Sequence, residues 1–220
     1  MLLLRRRVIR PELLDGAQEW DARRNLADIV LLNRRFGGHG VILEMLREVA
    51  RREDHFRMLD VGAASGDTAR LVRQNYRGAH VISLDLHAQN LAAAPHPKVL
   101  GDAFALPFAD EAFDFVFCSL FLHHFSNDQV VRLLREMHRV TKLALLVSDL
   151  ERHLLSWWFV PATWPIFRWH WITMHDAPVS VRAAFTAEEL GMLAERAQIS
   201  ARVRLHRPAF RLSMVARKRL

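Results

Sequence analysis

The feature that most constrains this chain is an alternation running from residue 56 to residue 150. Short apolar runs ("FRMLDVG", "HVISLDL", "PKVLGDA", "FDFVFCSL" and "LALLVSDL") are separated by stretches such as "DTARLVRQNY" and "DQVVRLLREMHRV". Apolar runs of that length read as strands buried on both faces, and the stretches of period 3.6 read as crossover helices. The alternation predicts an α/β fold with a doubly wound, mostly parallel sheet and ligands at the carboxyl ends of its strands. Two late stretches, "SARVRLHR" and "FRLSMVAR", alternate like half-buried strands and complete seven as an antiparallel pair.

A chain of 220 residues builds one sizeable core, so a single domain over residues 1–220 is expected. Within it we expect an N-terminal helical cap (1–52), a ligand-binding core (53–150), an aromatic insert (151–185), and a last helix with the strand pair (186–220). Residues 17–35 read as an amphipathic helix ended by Gly37 and Gly38, and "VILEMLREVARR" as a second. The last helix opens with a capping box, Thr186 with Glu189 three residues on.

Composition removes several classes. Cys118 is the only cysteine, which excludes a disulfide framework and a cysteine zinc site; no metal is expected, and a reducing cytoplasm fits. No run of 18 apolar residues exists, and the order of charge at "MLLLRRR" is the reverse of a signal peptide. Net charge is +7, yet the arginines are scattered, so no nucleic-acid partner is expected. Contact with nucleic acid or an anionic membrane through charge alone would fall on the short basic ends "LRRR" and "ARKRL".

The turn after the first strand, "LDVGAASGD", narrows the ligand. A dinucleotide fingerprint counted from Gly62 needs glycines at 64 and 67, and those positions hold Ala64 and Asp67. An acid opening the next helix also opposes a pyrophosphate. No Gly-Lys-Ser/Thr follows, which excludes a P-loop. An acid-flanked turn suits a ligand with a positive centre and no phosphate. S-adenosyl-L-methionine meets that description. Asp60 would attract its ammonium, Asp85 would accept both ribose hydroxyls, and Asp102 with the Ala103 amide would meet the adenine.

With these stations in order, the sequence resembles class I S-adenosylmethionine-dependent methyltransferases over most of residues 37–215. "LDVGAASG" is similar to their glycine-rich motif and "VISLDL" to their ribose strand. The series "GDAFALPFADEAFDFVFCSLFLHHF" is similar to the small-molecule subgroup that includes quinone and phenol methyltransferases. The resemblance implies a Rossmann-like sheet and cofactor contacts from Asp60, Gly62, Ala63, Ser65, Gly66, Asp85, Leu86, Asp102, Ala103 and Ser119. Ala64 stands where the family has its middle glycine, an exchange tolerable if the local φ is negative.

Methyl transfer needs alignment, dryness and, for a phenol or enol, a base. Three ligand-facing groups offer one: His123 and His124 after the fourth strand, the run Asp149 to His153 after the fifth, and His175 with Asp176 in a loop before the last helix. Of these, His175, Asp176 and His124 are the candidate catalytic residues. "LLSWWFVPATWPIFRWHWI" holds five of the six tryptophans and is broken by Pro161 and Pro165. It reads as a mobile lid over residues 154–172, with Trp157, Trp158, Trp164 and His123 lining an apolar acceptor pocket, or as an interfacial patch on a membrane. "NRRFGGHG" reads as a helix end with glycine caps; the resemblance to the quinone subgroup implies the alternative, a segment that approaches the cofactor from the N-terminal helices.

The expected activity is methylation of a small, largely apolar acceptor such as an aromatic polyketide, quinone or lipid phenol, O-methylation favoured over C-methylation. A non-catalytic binding or assembly module is the alternative from another class. Nucleic-acid amino methylation would need an Asn/Asp/Ser-Pro-Pro-aromatic turn after the fourth strand, and "CSLFLH" has no proline.

Overall fold

A computed structural model of the chain describes residue 4 and residues 6–218; Arg5 of "LRRR" and Arg219 of "ARKRL" lie outside the described residues. The strands are β1 (Phe56–Val61), β2 (Ala79–Asp85), β3 (Lys98–Leu100), β4 (Phe113–Ser119), β5 (Thr141–Leu150), β6 (Arg202–His206) and β7 (Arg211–Arg217). They form one sheet in the order β3-β2-β1-β4-β5-β7-β6. Every pairing among β1 to β5 is parallel, whereas β7 runs antiparallel to both β5 and β6.

The helices are α1 (Glu19–Arg35), α2 (Gly38–Val49), α3 (Asp67–Asn75), α4 (Ala88–Leu91), α5 (Asn127–Val140), α6 (Leu154–Phe167), α7 (Trp171–Ala183) and α8 (Ala187–Arg196). Alternation along the strands supplies two cores. Leu59, Val116 and Cys118 face α5 and α8, while Met58, Phe115 and Phe117 face α2 and α3. Helix α5 buries Val130, Val131, Leu133, Leu134, Met137 and Val140 at the helical period, each contributing about 1.5–3 kcal/mol by leaving water. Both α5 and α8 open with capping boxes, at Ser126/Gln129 and Thr186/Glu189.

The tryptophan segment departs from expectation. Pro161 and Pro165 do not break it; α6 runs unbroken through both. The prolines are four residues apart and so share one helical stripe, on the outer side, where water can reach carbonyls that lose their N–H donors. Thr163 Oγ1 donates to the Phe159 carbonyl at 2.7 Å, adding an internal bond where the ladder is thinned. His175 and Asp176 likewise sit not in a loop but inside α7, which also carries an internal proline, Pro178.

Helices α1, α6 and α7 cap the carboxyl ends of the strands. Asp28 of α1 holds the start of α7, accepting from the His170 backbone N–H and from Thr173 Oγ1, each at 2.7 Å. Asn25 of α1 donates to Thr173 Oγ1 at 3.0 Å. The N-terminal helix and the late insert are therefore bonded into one cover.

Candidate active site

The ends of β1, β2 and β4 and the three capping helices enclose a cavity of about 1410 Å³. Small-molecule sites run to about 300–1,000 Å³, so there is room for a cofactor and an acceptor together. Asp60, Gly62, Ala63, Ser65, Asp85, Leu86, Asp102, Ala103 and Ser119 all line it. Gly66 is the exception among the expected cofactor residues. It caps α3 in the left-handed region, and a Cβ there would lie 2.6 Å from Pro95 and 2.9 Å from Ala94, so its task is packing.

The first half of the cavity is lined by three acids, Asp60, Asp85 and Asp102. Asp60, at the end of β1, is buried, and its Oδ2 has no hydrogen-bond partner among the described residues. Burial, followed by the nearby Asp67 and Asp85, holds its pKa well above the usual carboxylate range. A ligand cation would relieve that state, as the ammonium of S-adenosylmethionine can. Asp85 Oδ2 accepts from the Ala64 N–H and Oδ1 from the His87 N–H, both at 3.0 Å, so the acid organises the glycine turn while facing the cavity. Asp102 Oδ1 accepts from the Phe104 N–H at 2.8 Å, fixing the loop that presents Ala103. Gly62 has φ +67°, and the Phe121 ring lies 2.3 Å from where a Cβ would be.

Ala64 corrects the sequence reading. Its φ is +44°, the left-handed region rather than the negative value that would make alanine harmless. The Asp85 carboxylate on its amide holds the residue in that strained state.

The second half is apolar, with Leu26, Ile29 and Phe36 from the α1 side and Phe159 and Val160 from α6. None of Trp157, Trp158 and Trp164 lines it, contrary to expectation. The cavity side of α6 carries Ser156, Phe159 and Val160, leaving Trp158 and Trp164 exposed. Trp157 packs edge-on against Trp158, with ring centroids 4.8 Å apart.

A polar cluster stands at the junction. His123 is buried, its Nδ1 is 2.6 Å from Asp149 Oδ1, and its Nε2 is 3.6 Å from Glu12 Oε1. The Asp149 charge and hydrogen bond, helped by Glu12, outweigh burial and raise His123 to about 9. Glu12 is held at about 2, the His123 bond and the two ring charges overcoming burial. His124 stacks on His123 with centroids 4.3 Å apart, and burial and the charged neighbour lower its pKa. Two adjacent imidazoles are thus driven apart, His123 toward the charged form and His124 toward the neutral form at pH 7. Ligand atoms of Glu12, His123 and His124 lie within 4.8 Å of one another, close enough to share a cation, with which protonated His123 would compete.

The other expected catalytic pair has different work. His175 is half exposed and does not line the cavity. Asp176 lines it but accepts from the Leu13 and Leu14 N–H groups at 2.9 and 3.0 Å, anchoring the 3₁₀ turn Leu13–Gly16 that follows Glu12. It is a positioning residue.

Three further cavity residues, Glu12, Asn33 and Arg211, were not among the expected site residues. Glu12 precedes the anchored turn. Asn33 on α1 accepts from Arg211 Nη2 at 2.9 Å, and Arg211 itself is buried with Nη1 unpartnered among the described residues, lowering its pKa to about 10. "NRRFGGHG" held the signal for Asn33. It caps, with Gly37 in the left-handed region, and it also docks: His39 Nε2 lies 2.8 Å from Asp67 at the start of α3.

Comparison with known proteins agrees with this geometry. Residues 59–144 match a family model described as a methyltransferase domain. The chain is 38% identical over 85 residues to malonyl-[acyl-carrier protein] O-methyltransferase 1 of Coxiella burnetii, covering 39% of this chain and 29% of that protein. It is 42% identical over 82 residues to demethylmenaquinone methyltransferase of Mycolicibacterium paratuberculosis, covering 36% of this chain and 35% of that one. The matched region thus spans about a third of the length of these relatives. A SAM-dependent methyltransferase from Aquifex aeolicus has the same fold, with TM-score 0.60 and 17% identity over 80% of this chain and 88% of that one.

Proposed function

We propose that this chain, which carries a methyltransferase domain of the S-adenosylmethionine-dependent kind over residues 59–144, methylates a phenol or enol oxygen on a small, largely apolar acceptor. The observation that carries the reading is one cavity joining the crevice of Asp60, Asp85 and Asp102 to an apolar chamber, with His124 at the junction.

S-adenosylmethionine supplies a methyl group already activated on a sulfonium. The residues therefore have three tasks: holding, drying and moving one proton. With the cofactor bound, Asp60 would hold the ammonium, Asp85 the ribose hydroxyls, and Asp102 with Ala103 the adenine. Helices α1 and α6 exclude water from the acceptor half. His124 is the candidate general base, kept neutral by burial and then by the charged His123 stacked on it, and it takes the acceptor's O–H proton as the oxygen gains its carbon. Glu12 and Asp149 keep the charge on His123, and that charge together with burial outweighs the direct pull of the same two acids on His124.

Radiolabelled S-adenosylmethionine offered with an alkyl-substituted resorcinol, and separately with its dimethyl ether, tests the reading. Label should appear on oxygen in the first and nowhere in the second. His124→Asn should lower turnover by about 10²–10⁴-fold with cofactor affinity unchanged. Label on a ring carbon, or full activity in His124→Asn, would contradict it.

A further inference from the structure

Helix α6 is apolar on both faces, the outer one included. Leu154, Leu155, Trp158, Ala162, Pro165 and Ile166 fall on one stripe at the helical period, and all six are exposed, Leu155 at 63%, Trp158 at 54% and Ile166 at 77%. The stripe is about 18 Å long, and its one polar side-chain group is the indole N–H of Trp158. The polar residues of the helix, Ser156 and Thr163, are turned the other way. A helix on a water-facing surface carries the opposite pattern.

We propose that this outer face of α6 docks on a lipid surface, lying in the interface with its apolar side chains among the acyl chains. Among the described residues no helix is long and apolar enough to span a bilayer, so the contact is peripheral. The rim favours lipid over a protein partner. Arg168 lies over the Trp164 ring at 5.1 Å, and Arg24 over Trp20 at 5.3 Å, with His170 edge-on to Trp20 and Trp171 exposed beside it. Tryptophans with arginines against them suit the headgroup layer, where a ring is half wet and a guanidinium meets phosphate. A face whose only hydrogen-bonding side-chain group is the Trp158 N–H offers few of the polar contacts that protein interfaces carry about every 100–200 Å². The reverse side of the same helix lines the acceptor chamber through Ser156, Phe159 and Val160, so one helix separates bilayer from chamber. Docking there gives a lipid-dissolved acceptor a short route in. The proposal does not depend on which atom is methylated.

Flotation of the full chain with phosphatidylcholine vesicles, with and without phosphatidylglycerol, tests this. The protein should float with the vesicles, more strongly with the anionic lipid, and its tryptophan emission should shift to the blue. Brominated acyl chains should quench that emission, a readout that needs no variant. Leu155→Glu/Trp158→Glu/Ile166→Glu should lose at least tenfold in vesicle binding while binding S-adenosylhomocysteine as the parent does. Should the variant fail to bind that nucleoside, Trp158→Lys alone should still weaken flotation severalfold. Protein left in the aqueous fraction and unquenched by brominated lipid would overturn the proposal. So would a dimer in sedimentation that the same substitutions dissociate, since a second copy would then cover the face.

Discussion

His123 Nδ1 lies 2.6 Å from Asp149 Oδ1, with both side chains buried and Glu12 on the other side of the ring. A histidine raised to about 9 contributes stability that is complete below its unfolded value near 6.5 and is lost as pH rises through 9. Glu12, held at about 2, works in the opposite sense: its contribution is present above 4.5 and lost as pH falls through 2. The melting temperature should therefore be highest near pH 5–6 and fall on both sides. His123→Asn should remove most of the alkaline decline. An alkaline limb identical in the variant would mean that His123 is not the group being titrated.

Ala64, at φ +44°, sits where glycine is favoured. Releasing left-handed strain yields about 1–2 kcal/mol, offset by about 0.4–1 for a freer unfolded chain, so Ala64→Gly should leave stability equal or slightly raised. Gly62→Ala should behave oppositely, because its Cβ would meet the Phe121 ring at 2.3 Å and its φ is +67°. Thermal melts of both variants decide the matter; a stable Gly62→Ala would show that Phe121 yields.

Asp60 sets stability against binding. Its raised pKa means that folding loses stability as pH climbs above the unfolded value near 3.8. Asp60→Asn removes that titration, so the ligand-free variant should melt higher at pH 7, while S-adenosylhomocysteine should bind it more weakly. A lower melting temperature would indicate a partner for the carboxylate that the geometry does not provide.

Much of this was legible because single residues dictated it. Strand alternation around Asp60 and Asp85 placed both acids at strand ends, and Thr186 with Glu189 marked the start of α8 to the residue. Reading the prolines as breakers failed because Pro161 and Pro165 share the outer stripe of one helix. The tryptophans were misplaced because periodicity gives a stripe but not which side faces the core; α6 turns its larger residues outward. Glu12, Asn33 and Arg211 reach the cavity from three distant segments, and no local pattern reports a contact across 178 positions such as Arg211 with Asn33. His175 and Asp176 were legible only as neighbours in sequence; that their side chains meet at 2.8 Å, and that the Leu13 and Leu14 amides occupy the acid, depends on a segment 162 to 163 positions away that no local pattern reports.

The central claim is that the crevice of Asp60, Asp85 and Asp102 holds S-adenosylmethionine, and calorimetry on the parent and on Asp85→Ala tests it most directly. The parent should bind S-adenosylhomocysteine and not NADH. Asp85→Ala should lose about 2–4 kcal/mol, from hydrogen bonds to a charged acceptor of about 1.5–3 each with some rescue by water. Part of that loss passes through the Ala64 amide, which Asp85 also holds, so Asp85→Asn should recover a portion. NADH binding by the parent, or an unchanged S-adenosylhomocysteine affinity in Asp85→Ala, would contradict the account.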